Sequence, residues 1–113
     1  MDLKLTEQQQ MLRDATRDFA LQRLIPQAEE AEHNNANAPE LLAELGAMGY
    51  CGIGTPEQYG GSALDAVSYA LMISELSYGD ASIGVTVSVT NSLTQDPIMM
   101  FGTEEQKLRW LPD

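Results

Sequence analysis

Apolar side chains recur along much of this chain at the three-to-four-residue spacing of a helix that buries one side. The first such stretch opens at Thr6-Glu7-Gln8-Gln9. This is a capping box: the threonine hydroxyl accepts from the N–H three residues on, and Gln9 reaches back to the cap. Met11, Leu12, Ala15 and Phe19 then share a broad face. Pro26 lacks a backbone donor, so this helix is expected to kink or restart near Leu24-Ile25. Asn34-Asn35-Ala36-Asn37 reads as a loop, and Pro39 suits a first helical position. Leu41, Leu42, Leu45 and Met48 make the stripe of a short second helix. Asp65 is a good N-cap for a third, running to about Tyr78 with Val67, Leu71, Ser74 and Tyr78 along one face. Thr103-Glu104-Glu105-Gln106 is another capping box. It opens a last helix whose acids come first and bases last, as the helix dipole favours, and which stops at Pro112.

Two stretches break this scheme. The glycine-rich segment from Gly46 to Gly61, which includes Pro56, predicts a mostly irregular path that ends in a turn at Tyr59-Gly60-Gly61. Its glycines are in the wrong order for a dinucleotide loop, and no strand precedes them, so chain turning and close backbone packing explain them better. The other stretch is Ile83 to Thr90. There Val85, Val87 and Val89 alternate with Thr86, Ser88 and Thr90, the written form of a strand. Against a strand, it would be alone among helices with its backbone unpaired. In favour of a helix, Asp80 can cap the segment, and Ala81, Ser82, Gly84 and Ser88 are small enough for close packing. The residue pattern leaves both readings open.

Composition narrows the function. The 113 residues carry a net charge of −11, and no Lys or Arg falls between Arg23 and Lys107, a stretch holding twelve Asp and Glu. Such a surface repels phosphates, so nucleic acid is a poor partner, and a polyanionic ligand can bring only its neutral end here. No apolar run reaches the ~20 residues of a membrane span. Met1-Asp2-Leu3-Lys4 lacks the layout of a secretory or transit leader. Single Cys51 fits a reducing compartment and has no cationic neighbour to activate it. His33, beside Glu32 and Asn34, sits at an expected helix end, where the dipole or solvent accounts for it. Glu29, Glu30 and Glu32 diverge on a helix and read as a wet face. The expectation is therefore no catalytic residue and no metal site. A different candidate emerges at Val85, Thr86, Val89 and Leu93, which share one side if the segment is helical. Small and β-branched side chains would make a rigid, apolar slot for a short acyl chain there. The same spacing also suits ordinary core packing.

Five motifs carry a family resemblance over essentially the whole chain: L-T-E-Q-Q at 5–9, L-R-D-A-T-R-D-F-A at 12–20, P-E-Q-Y-G-G at 56–61, S-V-T-N-S-L at 88–93 and F-G-T-E-E-Q-K at 101–107. In order and spacing the chain resembles the N-terminal helical domain of the acyl-CoA dehydrogenases. It departs at Ala38, where the family usually has an aromatic, and at Gln58, where an acid is commoner. The resemblance implies an all-α fold, an orthogonal or up-down bundle of five to six helices over residues 1–113, with 83–90 as a buried helix. It implies a parent enzyme with a middle β-domain and a C-terminal helical domain, a homo-oligomer in which FAD binds between those later regions. A glutamate there removes the α-proton of an acyl-CoA, and flavin N5 takes the β-hydride. It places Val85, Thr86, Val89 and Leu93 beside the acyl tail, with the CoA phosphates toward other domains. By itself this chain is then expected to be inactive and to self-associate. The implied location is the cytoplasm, or the mitochondrial matrix in a eukaryote. Two alternatives stand beside this reading: a free-standing helical module docking a partner subunit, and the same domain of an acyl-CoA oxidase or flavin monooxygenase.

Overall fold

The computed structural model describes residues 2–34 and 39–112, so the expected loop at 35–37 and the departure at Ala38 lie outside the described residues. The α-helices are α1 (Glu7–Phe19), α2 (Ile25–His33), α3 (Pro39–Ala47), α4 (Ala66–Gly79), α5 (Ala81–Val89), α6 (Asp96–Phe101) and α7 (Glu104–Trp110). Two wide π-helical turns, Ala20–Leu24 and Thr90–Gln95, fuse α1 to α2 and α5 to α6. The described residues thus form five continuous rods, 7–33, 39–47, 66–79, 81–101 and 104–110, and contain no strand. The all-α expectation holds, and the alternating segment 83–90 is helical.

Both wide turns end two residues before a proline. Ile25 donates its N–H to the Ala20 carbonyl and Asp96 to the Asn91 carbonyl, each five residues back. Pro26 and Pro97 follow, and each would clash with the carbonyl four residues before it in a regular helix. Widening the preceding turn removes that conflict without breaking the rod. The expected kink near Leu24-Ile25 takes this form.

Caps set the helix starts. The Thr6 hydroxyl accepts from Gln9 N–H at 3.2 Å, while the Gln9 side-chain oxygen accepts from Thr6 N–H at 3.0 Å. The Gln9 amide then donates to Asp65 at 2.9 Å, and Asp65 in turn caps α4 by accepting from Ser68 N–H at 2.8 Å. Two helix N-termini are thereby tied together through their caps. That backbone N–H of Ser68 is the main reason the Asp65 carboxyl titrates below its ordinary range. Asp80 both closes α4 and caps α5, accepting from Ser82 N–H at 2.9 Å.

Helix α4 is the middle of the domain, with α1 packed on one side and α5 on the other. The core joins Ala20, Leu24, Leu45, Met72, Leu76, Ile83 and Val87. Gly84 allows α5 to lie close to α4, because a Cβ there would fall 2.1 Å from the Ser77 hydroxyl and 3.1 Å from Ser77 Cα. Two expected faces are out of phase. On α1 the inward line runs through Gln9, Leu12, Thr16 and Ala20, while Met11 and Ala15 are exposed. Thr16 can be buried because its hydroxyl donates to Leu12 O at 2.7 Å and accepts from Tyr50 OH at 2.8 Å. On α4 the buried residues are Ser68, Met72, Glu75 and Leu76, while Val67, Ser74 and Tyr78 are exposed and Leu71 is half-buried. Glu75 faces inward because Arg17 pairs with it, and the same guanidinium lies 4.2 Å from the centre of the Tyr78 ring. The Glu75 hydrogen bond holds Arg17 above its ordinary pKa.

The glycine-rich segment is irregular but well bonded. Short 3₁₀ turns at Tyr50–Gly52 and Glu57–Tyr59 are joined by Ser62 N–H to Gly52 O at 3.0 Å, Ala63 N–H to Thr55 O at 3.0 Å and Leu64 N–H to Ile53 O at 2.8 Å. The Tyr59 hydroxyl sits 2.8 Å from both oxygens of Glu104, which anchors the segment to α7 and raises the phenol's pKa.

The domain is a slab, 42 × 39 × 19 Å, with a radius of gyration of 14.6 Å, against about 13 Å for a compact domain of ~100 residues. A slab leaves apolar side chains on its broad faces. Val85, Leu93, Met100, Phe101, Leu108 and Trp110 are all exposed. Apolar surface of this extent associates in water. The weight-average mass of the 113-residue chain in sedimentation equilibrium is expected to rise with concentration; a monomer mass across a wide concentration range would contradict this.

Candidate functional site

The α5 rod has two sides of opposite character. Ile83 and Val87 are 1% and 0% exposed and belong to the core. Val85, Val89 and Leu93 are 61%, 42% and 70% exposed, and Thr86 is half-buried between them. The rod is therefore buried on one side only, and its candidate residues lie on the other. Core packing within the described chain does not account for these three.

The outer side is more apolar than its sequence suggests. The Thr86 hydroxyl donates to Ser82 O at 2.9 Å, Thr90 to Thr86 O at 2.9 Å and Ser92 to Ser88 O at 2.8 Å. Each hydroxyl is turned onto the preceding turn of its own helix, so these hydroxyl groups are already engaged. Val85, Thr86, Val89 and Leu93 thus form a rigid, largely apolar strip with few rotamers.

Two grooves flank the rod. One, of about 250 Å³, is lined by Ile53, Leu64, Asp65, Tyr69, Asn91 and Asp96 among others. The other, of about 220 Å³, lies against the glycine-rich segment and is lined by Cys51, Gly52, Gly61, Thr90, Gln95 and Leu111 among others. Cys51 is half-buried, and burial pushes its thiol pKa up, away from a nucleophile's range. His33 is exposed at the end of α2, as are Glu29, Glu30 and Glu32. No group of three or more His, Cys, Asp or Glu among the described residues could hold a metal ion. No helix among them is long and apolar enough to cross a membrane.

The residue that sequence reading missed is Asn91. Its side-chain oxygen accepts from Ile53 N–H at 3.0 Å, and its amide donates to Tyr50 O and to Val87 O, each at 2.9 Å. It is buried and pins the glycine-rich segment to the wide turn of the rod. The signal was present: Ile83, Val87 and Asn91 follow one another at four-residue steps, so a polar residue was due on the inner line.

The domain is thus an all-helical slab with an exposed apolar strip along one rod. The description "Acyl-CoA dehydrogenase, N-terminal domain" matches residues 6–113, and the chain belongs to that family. It is 41% identical to an acyl-CoA dehydrogenase of Bacillus subtilis (strain 168), over 98% of this chain and 29% of that protein. Its structure is similar to butyryl-CoA dehydrogenase from Megasphaera elsdenii, with a TM-score of 0.90 and 39% identity, covering 99% of this chain and 30% of that one. It is also similar to a glutaryl-CoA dehydrogenase from Mycobacterium smegmatis in complex with FADH2, with a TM-score of 0.90 and 35% identity over 96% of this chain and 28% of that one. The chain thus spans less than a third of the length of these relatives.

Proposed function

We propose that this chain is the N-terminal domain of a flavin-dependent enzyme that dehydrogenates an acyl-CoA between its α and β carbons. In this reading Val85, Thr86, Val89 and Leu93 line one side of the acyl pocket. The observation that carries it is the exposure of that apolar strip on a helix whose other side is core. An acyl tail laid along the strip would complete the burial that this chain leaves unfinished.

Neither groove beside the rod offers a cationic side chain to a flavin's pyrophosphate. Asp65 and Asp96 line one groove beside the rod, and no Lys or Arg falls between Arg23 and Lys107. Carboxylates repel a dinucleotide's pyrophosphate, which positive charge favours. The flavin, which accepts the hydride when bound, is therefore assigned to the remainder of the parent protein, with the base that removes the α-proton. What this chain's residues do is narrower. They exclude water from the acyl tail and fix its depth, and with depth the position of the reacting carbons. The half-buried free thiol suits a reducing compartment, such as the cytoplasm or the mitochondrial matrix.

Leu93→Phe in the full-length enzyme tests this. Butyryl-CoA and octanoyl-CoA are compared by kcat/KM. The bulkier side chain is expected to cut the octanoyl value by about 10–200-fold more than the butyryl value, since one methylene of fit is worth that much in an apolar pocket. An equal loss on both substrates, or none, would remove Leu93 from the pocket.

A further inference from the structure

The sideways aim of Leu93 is not a given of the helix. In a regular α-helix each four-residue step drifts by about 40°, so Leu93 would lie about 80° around the rod from Val85. The wide turn Thr90–Gln95 carries an i to i+5 bond and counters that drift. Two restraints together hold the turn open, and neither suffices alone. From inside, Asn91 is fixed by its three hydrogen bonds to Ile53, Tyr50 and Val87. From below, Pro97 has no N–H to give the Leu93 carbonyl four residues back, and its ring excludes that carbonyl from a regular position.

We infer that Asn91 and Pro97 are positioning residues for acyl-chain length: they hold the wide turn that aims Leu93 along the Val85–Val89 strip. Neither belongs to the exposed Val85–Val89–Leu93 strip. Asn91 faces inward, and Pro97 lies beyond the strip. The inference rests on the acyl-wall reading and adds a cause to it: chain-length preference is set by a helix defect as well as by side-chain volume. Relaxing the turn to a regular helix swings Leu93 off the strip and lengthens the slot.

The test uses the full-length flavin-loaded enzyme and the ratio of kcat/KM for octanoyl-CoA over butyryl-CoA. Leu93→Ala is measured first. Asn91→Ser and Pro97→Ala are each expected to raise the ratio about tenfold or more, as Leu93→Ala does. Adding Leu93→Ala to either is expected to bring little further change, because both act through that side chain. Leu45→Ala, a core truncation far along the chain from the strip, serves as a stability control expected to lower the thermal midpoint without moving the ratio. If Asn91→Ser does not yield holoenzyme, Pro97→Ala decides, since its side chain is exposed and no hydrogen bond is lost. The inference is overturned if Leu93→Ala moves the ratio and the positioning variants do not, or if the double variants are additive. If Leu93→Ala itself leaves the ratio unchanged, the acyl-wall reading fails first and takes the inference with it.

Discussion

Gly61→Ala is expected to destabilise the chain by about 3 kcal/mol or more. A Cβ at Gly61 would lie 1.9 Å from the carbonyl oxygen of Thr55 and 2.4 Å from its carbonyl carbon. These are backbone atoms, and they cannot retreat freely. The Thr55 carbonyl accepts from Ala63 N–H at 3.0 Å, its N–H donates to Gly52 O at 3.2 Å, and its hydroxyl donates to Gln95 at 2.7 Å. Moving Thr55 would break the segment's bonds and its tie to the α5 rod together. Gly46→Ala is the contrast. No atom lies within 4 Å of a Cβ there, and the residue is within α3. It is expected to be neutral or to stabilise by up to about 1 kcal/mol, since alanine loses less freedom in a helix. Urea unfolding at concentrations below the onset of self-association checks both. A Gly61→Ala loss under about 1 kcal/mol would mean that the segment repacks easily.

These two glycines show what could be read from residue order and what could not. Gly61 sits in a Tyr-Gly-Gly turn that the sequence announces, but the atom it must avoid belongs to Thr55, and only the fold brings the two together. Caps were legible because they are local: Thr6, Asp65, Asp80 and Thr103 each act within three residues of themselves. Pro26 likewise announced a break, though not that the break is a wide turn repeated ahead of Pro97. Buried polar residues were the blind spot. Thr16, Glu75 and Asn91 face inward because Tyr50, Arg17 and Ile53 supply partners 34, 58 and 38 residues away. A rule that sends polar side chains outward places them wrongly and shifts the phase of α1 and α4 with them. On α4 the rule had little to work with, because apolar residues run almost all the way round.

The same limit governs the α5 rod, where Ile83→Ala and Val85→Ala are expected to differ by several-fold in cost. Ile83 is 1% exposed, and truncating it leaves a cavity in the core it shares with Leu76 and Val87. The loss is expected to be about 2–5 kcal/mol, transfer and cavity together. Val85, two residues on, is 61% exposed. Its truncation is expected to change stability by no more than about 0.5 kcal/mol in this chain. In sequence the two β-branched residues are near equivalents, and the alternation of Val85, Val87 and Val89 suggests that all three share a side. Helical rotation parts them: Val87 turns inward with Ile83, and Val85 and Val89 turn outward. Core residues and the exposed residues proposed for the acyl wall then sit on opposite sides of one rod. In the full-length enzyme Val85→Ala is expected to alter the chain-length ratio while leaving the thermal midpoint near that of the parent. Equal stability losses for the two truncations in the 113-residue chain would mean that Val85 packs inward, and the acyl wall would have to be sought elsewhere.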